Sequence, residues 1–144
     1  EVVLGDEREA LESETAGRIS LNLGHTLAHG LEAATGFGRL LHGEAVAYGL
    51  RAAVRIGIER GVTPPERAAR IEALLDRLEL GVAPLDVEVD AVLGAMAVDK
   101  KQLGGRIRWV LPTADGFVLD RDVPADVVAR IATEVVAGRM SVAR

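Results

Sequence analysis

Five separate stretches of this chain read as α-helix and only one, RIRWVLPTADGFVLD, reads as strand. The fold must therefore be built by packing helices on helices, with a small β element attached. From about Ile19 to Ala34, Leu21, Ala28 and Leu31 recur at three- and four-residue intervals, the period of a helix with one buried side. The glycines of TGFG, Thr35 to Gly38, stop it, because glycine readily takes the left-handed conformation that ends helices. A second helix is expected from His42 or Gly43 to Arg60, ending at Gly61. A third is expected with Thr63 as its N-cap, Pro64 at the first helical position and Glu66 three residues after the cap, as in a capping box. A fourth, from about Val87 to Val98, leads into DKKQLGG. RIRWVLP and GFVLD around TADG read as a short hairpin, and a last helix follows Pro124. The expected class is mainly α with a small β-hairpin.

A chain of 144 residues, 49% of them hydrophobic, suits one packed domain, residues 1–144. Its net charge of -5, with arginines scattered among acids, argues against a nucleic-acid or anionic-membrane surface, since such partners require a basic patch. A small molecule or a protein is the expected partner. The absence of cysteine excludes disulfides and thiolate metal sites, so any metal must be held by nitrogen and oxygen ligands. No apolar run approaches the roughly 18 residues of a membrane span, and no signal-peptide layout is present, so the cytoplasm is the expected compartment. The first residues, EVVLGDERE, look like an element cut in its middle, and a fragment of a longer protein is expected.

All three histidines fall within LNLGHTLAHGLEAATGFGRLLHGEA: His25, His29 and His42. On a helix His25 and His29 lie one turn apart on the same face, where their rings can converge on one ion or ligand. Gly24 and Gly30 flank the pair and Gly43 follows His42; small residues allow close approach of backbone, metal or substrate. Glu32 and Glu44 stand nearby as carboxylates that can orient an imidazole, so a nitrogen and oxygen zinc site is the favoured reading over two polar residues on a helix surface. The set remains incomplete unless another segment supplies an oxygen ligand.

RISLNLGHTLAHGLEAATGFGRLLHGEAVAYGL closely resembles the signature of 3-dehydroquinate synthases, in which an arginine, then L-N-x-G-H-T-x-x-H-x-x-E, then H-G-E-A-V-A-x-G follow at this spacing. MAVDKKQLGGRIRWVLP resembles the D-K-K segment and R-x-V-L strand of the same family, and the likeness covers essentially the whole chain. It implies the helical C-terminal domain of the dehydroquinate synthase-like fold, binding metal and substrate, with an N-terminal NAD-binding α/β domain absent from this chain. It also implies that His25 and His42 are zinc ligands, with a glutamate from the N-terminal domain as the third. His29 then stands beside the substrate as a proton-transfer residue, whereas spacing alone pairs it with His25. Arg18 and Asn22 match the family's substrate-binding arginine and asparagine; a guanidinium forks onto phosphate or carboxylate and an amide can meet a hydroxyl. Lys100 and Lys101 match the D-K-K pair, one expected to reach the substrate's anionic end and the other to face water, with Asp99 as their structural partner. Ala28 replaces the usual glycine between the histidines, and the connection before Arg18 is longer than usual, so Glu9 and Glu14 both remain open as the acidic base. A substrate-contacting lysine of the family would lie upstream of Glu1.

The resemblance implies a lyase that converts 3-deoxy-D-arabino-heptulosonate 7-phosphate, a phosphorylated sugar acid, to 3-dehydroquinate and phosphate. This is a step of the shikimate pathway toward aromatic amino acids. The implied cofactors are NAD, bound mainly by the other domain, and Zn2+ or Co2+; the implied assembly is a homodimer; and the chain alone is expected to be inactive. Three alternatives stand beside it. One is another sugar phosphate cyclase, of the 2-deoxy-scyllo-inosose synthase or epi-valiolone synthase kind. Another is an iron- or zinc-dependent alcohol or glycerol dehydrogenase, whose motif lacks NLGH and the glutamate of HGEA. The third is a non-catalytic, metal-binding helical module.

Overall fold

A computed structural model of the protein describes residues 25–35, 42–102, 105 and 107–138. In chain order these form α1 (His25–Thr35), α2 (His42–Glu59), α3 (Pro65–Arg77), α4 (Val89–Gln102), β1 (Trp109–Pro112), β2 (Phe117–Asp120) and α5 (Ala125–Ala137). The mainly helical class with one hairpin is as expected. Helix α2 is the centre: α1, α3, α5 and β1 all pack on it. Its sequence explains this, because Ala45, Ala47, Gly49, Ala52, Ala53 and Gly57 are all buried and small enough to let neighbours approach from several sides. Leu27 and Leu31 of α1, Val92 and Met96 of α4, Trp109 and Leu111 of β1, and Ile131 and Val135 of α5 complete the core around Ile56.

A charged residue sits in the middle of this apolar helix. Arg51 is 2% exposed, and its guanidinium donates to Glu72 and Asp76 of α3 and to the carbonyl of Leu80, each at 2.8 Å. Arg55, one turn on, donates to the same Glu72 at 3.0 Å. Burial alone would push the Glu72 carboxyl up, but hydrogen bonds and charge from Arg55, then from Arg51, hold it below the ordinary carboxylate range. The pair clamps α3 against α2. Tyr48, also buried, donates its hydroxyl to the carbonyl of Ala83 and so pins the connection between α3 and α4.

Three boundaries differ from those read in the sequence. Thr63 does not cap α3: the N-cap is Pro64, without a side-chain cap, and the helix begins at Pro65. The Thr63 hydroxyl donates instead to the carbonyl of Pro112 at 2.6 Å, buried against Gly57, where a Cβ would stand 1.8 Å from Thr63 Oγ1. Leaving a buried carbonyl without a donor costs more than leaving an exposed helix end to the solvent, so the hydroxyl goes to Pro112. Helix α4 starts at Val89 and continues to Gln102, so Lys100 and Lys101 lie inside its last turn, where cations face the partial negative charge of the helix end. The hairpin is also shorter than its apolar run: Trp109 pairs with Asp120 and Pro112 with Phe117, closed by the Thr113 N–H donating to Gly116 O at 2.8 Å. Helix α5 follows Pro124 as expected. The glycines of TGFG, and Ile19 to Gly24 of the first expected helix, lie outside the described residues. Among the described residues no helix is long and apolar enough to cross a membrane.

Candidate metal and substrate site

Helix α1 divides its residues cleanly. Leu27, Ala28, Gly30 and Leu31 are buried, while His29 is exposed and Glu32 partly so. His25, His29 and Glu32 fall at the i, i+4 and i+7 positions of one face, spanning about 10 Å of helix axis. The reason lies on the other side, where Leu27 and Leu31 enter the core and so turn His29 and Glu32 away from it.

His42 opens α2 and returns to that row. Its Nδ1 lies 2.8 Å from Glu32 Oε2, the side chains being 56% and 15% exposed respectively. An ionised carboxylate only accepts, so a neutral His42 ring in this contact would carry its hydrogen on Nδ1 and its lone pair on Nε2. Metal-bound imidazoles very commonly have this arrangement, one nitrogen on the ion and the other N–H on a carboxylate. The donor chemistry therefore fits a zinc or cobalt ion. Of the two carboxylates expected to orient an imidazole, Glu32 has this contact, whereas Glu44 is exposed in the first turn of α2. Among the described residues no three histidine, aspartate or glutamate side chains are grouped to hold a metal.

Helix α4, which carries the two lysines, packs on α1. Gly30 faces that helix: a Cβ there would stand 2.9 Å from Met96 Cγ and 3.1 Å from Val92 O. The small residue beside His29 thus serves backbone approach between helices rather than a ligand. Val92, Met96 and Lys100 follow at four-residue steps, so Lys100 continues the row that packs on α1 while Lys101 is turned about 100° away. Both lysines are exposed. Beyond α4 the chain comes back to α1, where the Thr26 hydroxyl donates to Arg108 O at 2.8 Å. Sequence reading missed this tie, and a threonine between two motif histidines carries no local sign of it. Gly43 needs no such explanation, since a Cβ there meets nothing within 4 Å. Arg18, Asn22, Glu9, Glu14 and Gly24 lie outside the described residues.

The family described as 3-dehydroquinate synthase C-terminal matches residues 1–102. A 3-dehydroquinate synthase of Gloeobacter violaceus is 43% identical over 133 residues, which cover 91% of this chain and 36% of that protein. One from Jannaschia sp. is 40% identical over 135 residues, 89% of this chain and again 36% of that protein. The chain thus spans little more than a third of the length of these relatives. Among solved structures, a 2-epi-5-epi-valiolone synthase from Streptomyces hygroscopicus with NAD+ and Zn2+ bound shares the fold at a TM-score of 0.69 and 20% identity, over 90% of this chain and 39% of that one. A 2-deoxy-scyllo-inosose synthase complexed with carbaglucose-6-phosphate, NAD+ and Co2+ does so at 0.65 and 23%, over 78% of this chain and 34% of that one.

Proposed function

This chain belongs to the 3-dehydroquinate synthase C-terminal family, and from that premise we propose that it forms the metal- and substrate-binding part of a 3-dehydroquinate synthase. The reaction converts 3-deoxy-D-arabino-heptulosonate 7-phosphate to 3-dehydroquinate and phosphate. The observation that carries the reading is the return of His42 onto the α1 face bearing His25 and His29, with its Nδ1 held by Glu32. His25 and His42 hold zinc or cobalt as neutral imidazoles, and a glutamate from a separate NAD-binding domain completes the set. When bound, the metal would supply Lewis acidity toward the hydroxyl that is oxidised, and NAD would supply the acceptor for the hydride of the carbon bearing it.

This chain's own residues do the rest. His29 is exposed on the same face and moves protons at its ring nitrogens, an imidazole being suited to that task near neutral pH. Arg18 and Asn22, with Lys100 from α4, bind the phosphate and carboxylate of the sugar acid; Lys101 faces water. With the NAD-binding domain in place the site becomes a cleft between domains, a favoured position for cofactor chemistry. The identities of 40% or more to the two 3-dehydroquinate synthases, against 20% and 23% for the two cyclases of shared fold, favour this substrate over theirs.

Phosphate release from 3-deoxy-D-arabino-heptulosonate 7-phosphate tests the proposal directly, using the complete reading frame that contains this chain, with and without NAD and zinc. Release that requires both is expected. A folded, zinc-binding protein that releases none would move the assignment to the other cyclases or to the alcohol dehydrogenase group.

A further inference from the structure

The geometry points to Glu32 as a positioning residue that selects the ring nitrogen His42 presents to the metal. The inference rests on the proposed metal site and concerns only how this chain prepares one of its ligands. Glu32 sits in the last full turn of α1 and His42 is the first residue of α2, so the 2.8 Å contact bridges the start of one helix to the end of another. As a device for stability it has little to offer, because the imidazole is 56% exposed and ion pairs with an exposed partner contribute little. Orientation is a different matter. An unrestrained imidazole samples both tautomers and several ring angles. A carboxylate that is largely withdrawn from solvent leaves one tautomer, with Nδ1–H donated and the lone pair on Nε2. Glu32 is itself positioned: it shares α1 with Leu31, which is fully buried, so the helix cannot rotate without withdrawing that side chain from the core.

Three measurements on the complete protein decide the matter: zinc affinity by competition with a chromophoric chelator, the His42 tautomer in the metal-free protein by ring 15N chemical shifts, and thermal stability. In Glu32→Ala, zinc affinity falls about 10–100-fold and the His42 ring loses its single Nδ1–H tautomer, while the metal-free protein melts close to the parent. Glu32→Gln keeps nearly the same shape, but its amide can either accept from Nδ1 or donate to it, so it recovers part of the affinity without fixing one tautomer; should the alanine variant fail to fold, Glu32→Gln against the parent carries the comparison. A parent that binds zinc, with variants that bind it equally tightly or keep the Nδ1–H tautomer without the carboxylate, overturns the role of Glu32 and leaves the metal site standing. A parent that takes up no zinc removes the metal assignment and this inference together.

Discussion

His42 and His29 differ in what each touches, and that difference predicts different failures. In the complete protein His42→Ala removes a proposed ligand, so both zinc content and turnover should be lost. His29→Ala leaves the Glu32–His42 pair untouched; the metal should stay while turnover slows by about 10²–10⁴-fold. Metal analysis beside the phosphate assay separates the two, and loss of metal from His29→Ala would restore the His25–His29 pairing that spacing alone suggests. The lysines make a second contrast. Because Lys100 continues the Val92 and Met96 row against α1, Lys100→Ala should lower kcat/KM by about 10–100-fold, the loss of one charge-assisted hydrogen bond. Lys101→Ala should stay within about 0.5 kcal/mol of the parent. The reverse order in steady-state kinetics would show that the end of α4 turns when substrate binds.

At the scale of elements, the spacing between α1 and α4 would decide whether the proposed histidines and lysine can serve one substrate. Gly30 sets that spacing, with Met96 Cγ and Val92 O both within 3.1 Å of where a Cβ would be. Gly30→Ala should therefore cost about 1–3 kcal/mol, and its kcat/KM should fall further than stability alone explains, since the helix bearing Lys100 is pushed from the helix bearing His29. Gly94 lies in α4 with nothing within 4 Å of its Cβ position, so Gly94→Ala should raise stability, by up to about 1 kcal/mol. Thermal melts of the two variants give opposite signs if the contact is as described. The sequence shows both residues as glycines inside helices and offers no way to tell them apart, because the discriminating atoms belong to another element.

For the molecule as a whole, carboxylates held by arginines make stability depend on acid. Burial raises the Asp120 carboxyl, but hydrogen bonding from Arg60 and from the Asp122 N–H holds it low, as Arg55 and Arg51 do for Glu72. Both groups are easier to protonate in the unfolded chain than in the folded one. Their stabilisation is present above the ordinary carboxylate range, about 3.9 for Asp and 4.3 for Glu, and is lost as pH falls through the lower folded values. Denaturant melts should thus be flat from neutral pH to about 5 and fall steeply below. Glu72→Gln should lower stability at neutral pH and flatten the acid slope; an unchanged slope would mean that the clamp on α3 is not what titrates. Arg51 and Arg55 tie α2 to carboxylates of α3, and Arg60, one residue past α2, is paired with Asp120 of β2, so acid should loosen α3 and the hairpin before the α1 and α2 core.

The type and order of the elements are written in the sequence because helical period, glycine and proline stops and the alternation of a strand are properties of neighbouring residues. The same locality places His25, His29 and Glu32 on one face of a helix, and the NLGH and HGEA motifs identify the family from residue types and spacing. What the sequence could not determine depends on residues far along the chain. Thr63 leaves its helix for the Pro112 carbonyl because β1 is brought against Gly57. Arg51, a residue type that ordinarily stays at the surface, is buried because α3 delivers two carboxylates and the chain after it a carbonyl. Glu32 rather than Glu44 receives the His42 ring because α2 packs back along α1, and Gly30 rather than Gly94 is the glycine that close packing requires because α4 crosses there. Hydrogen bonds and close packing act only across a few ångströms, so such choices are made when the helices meet.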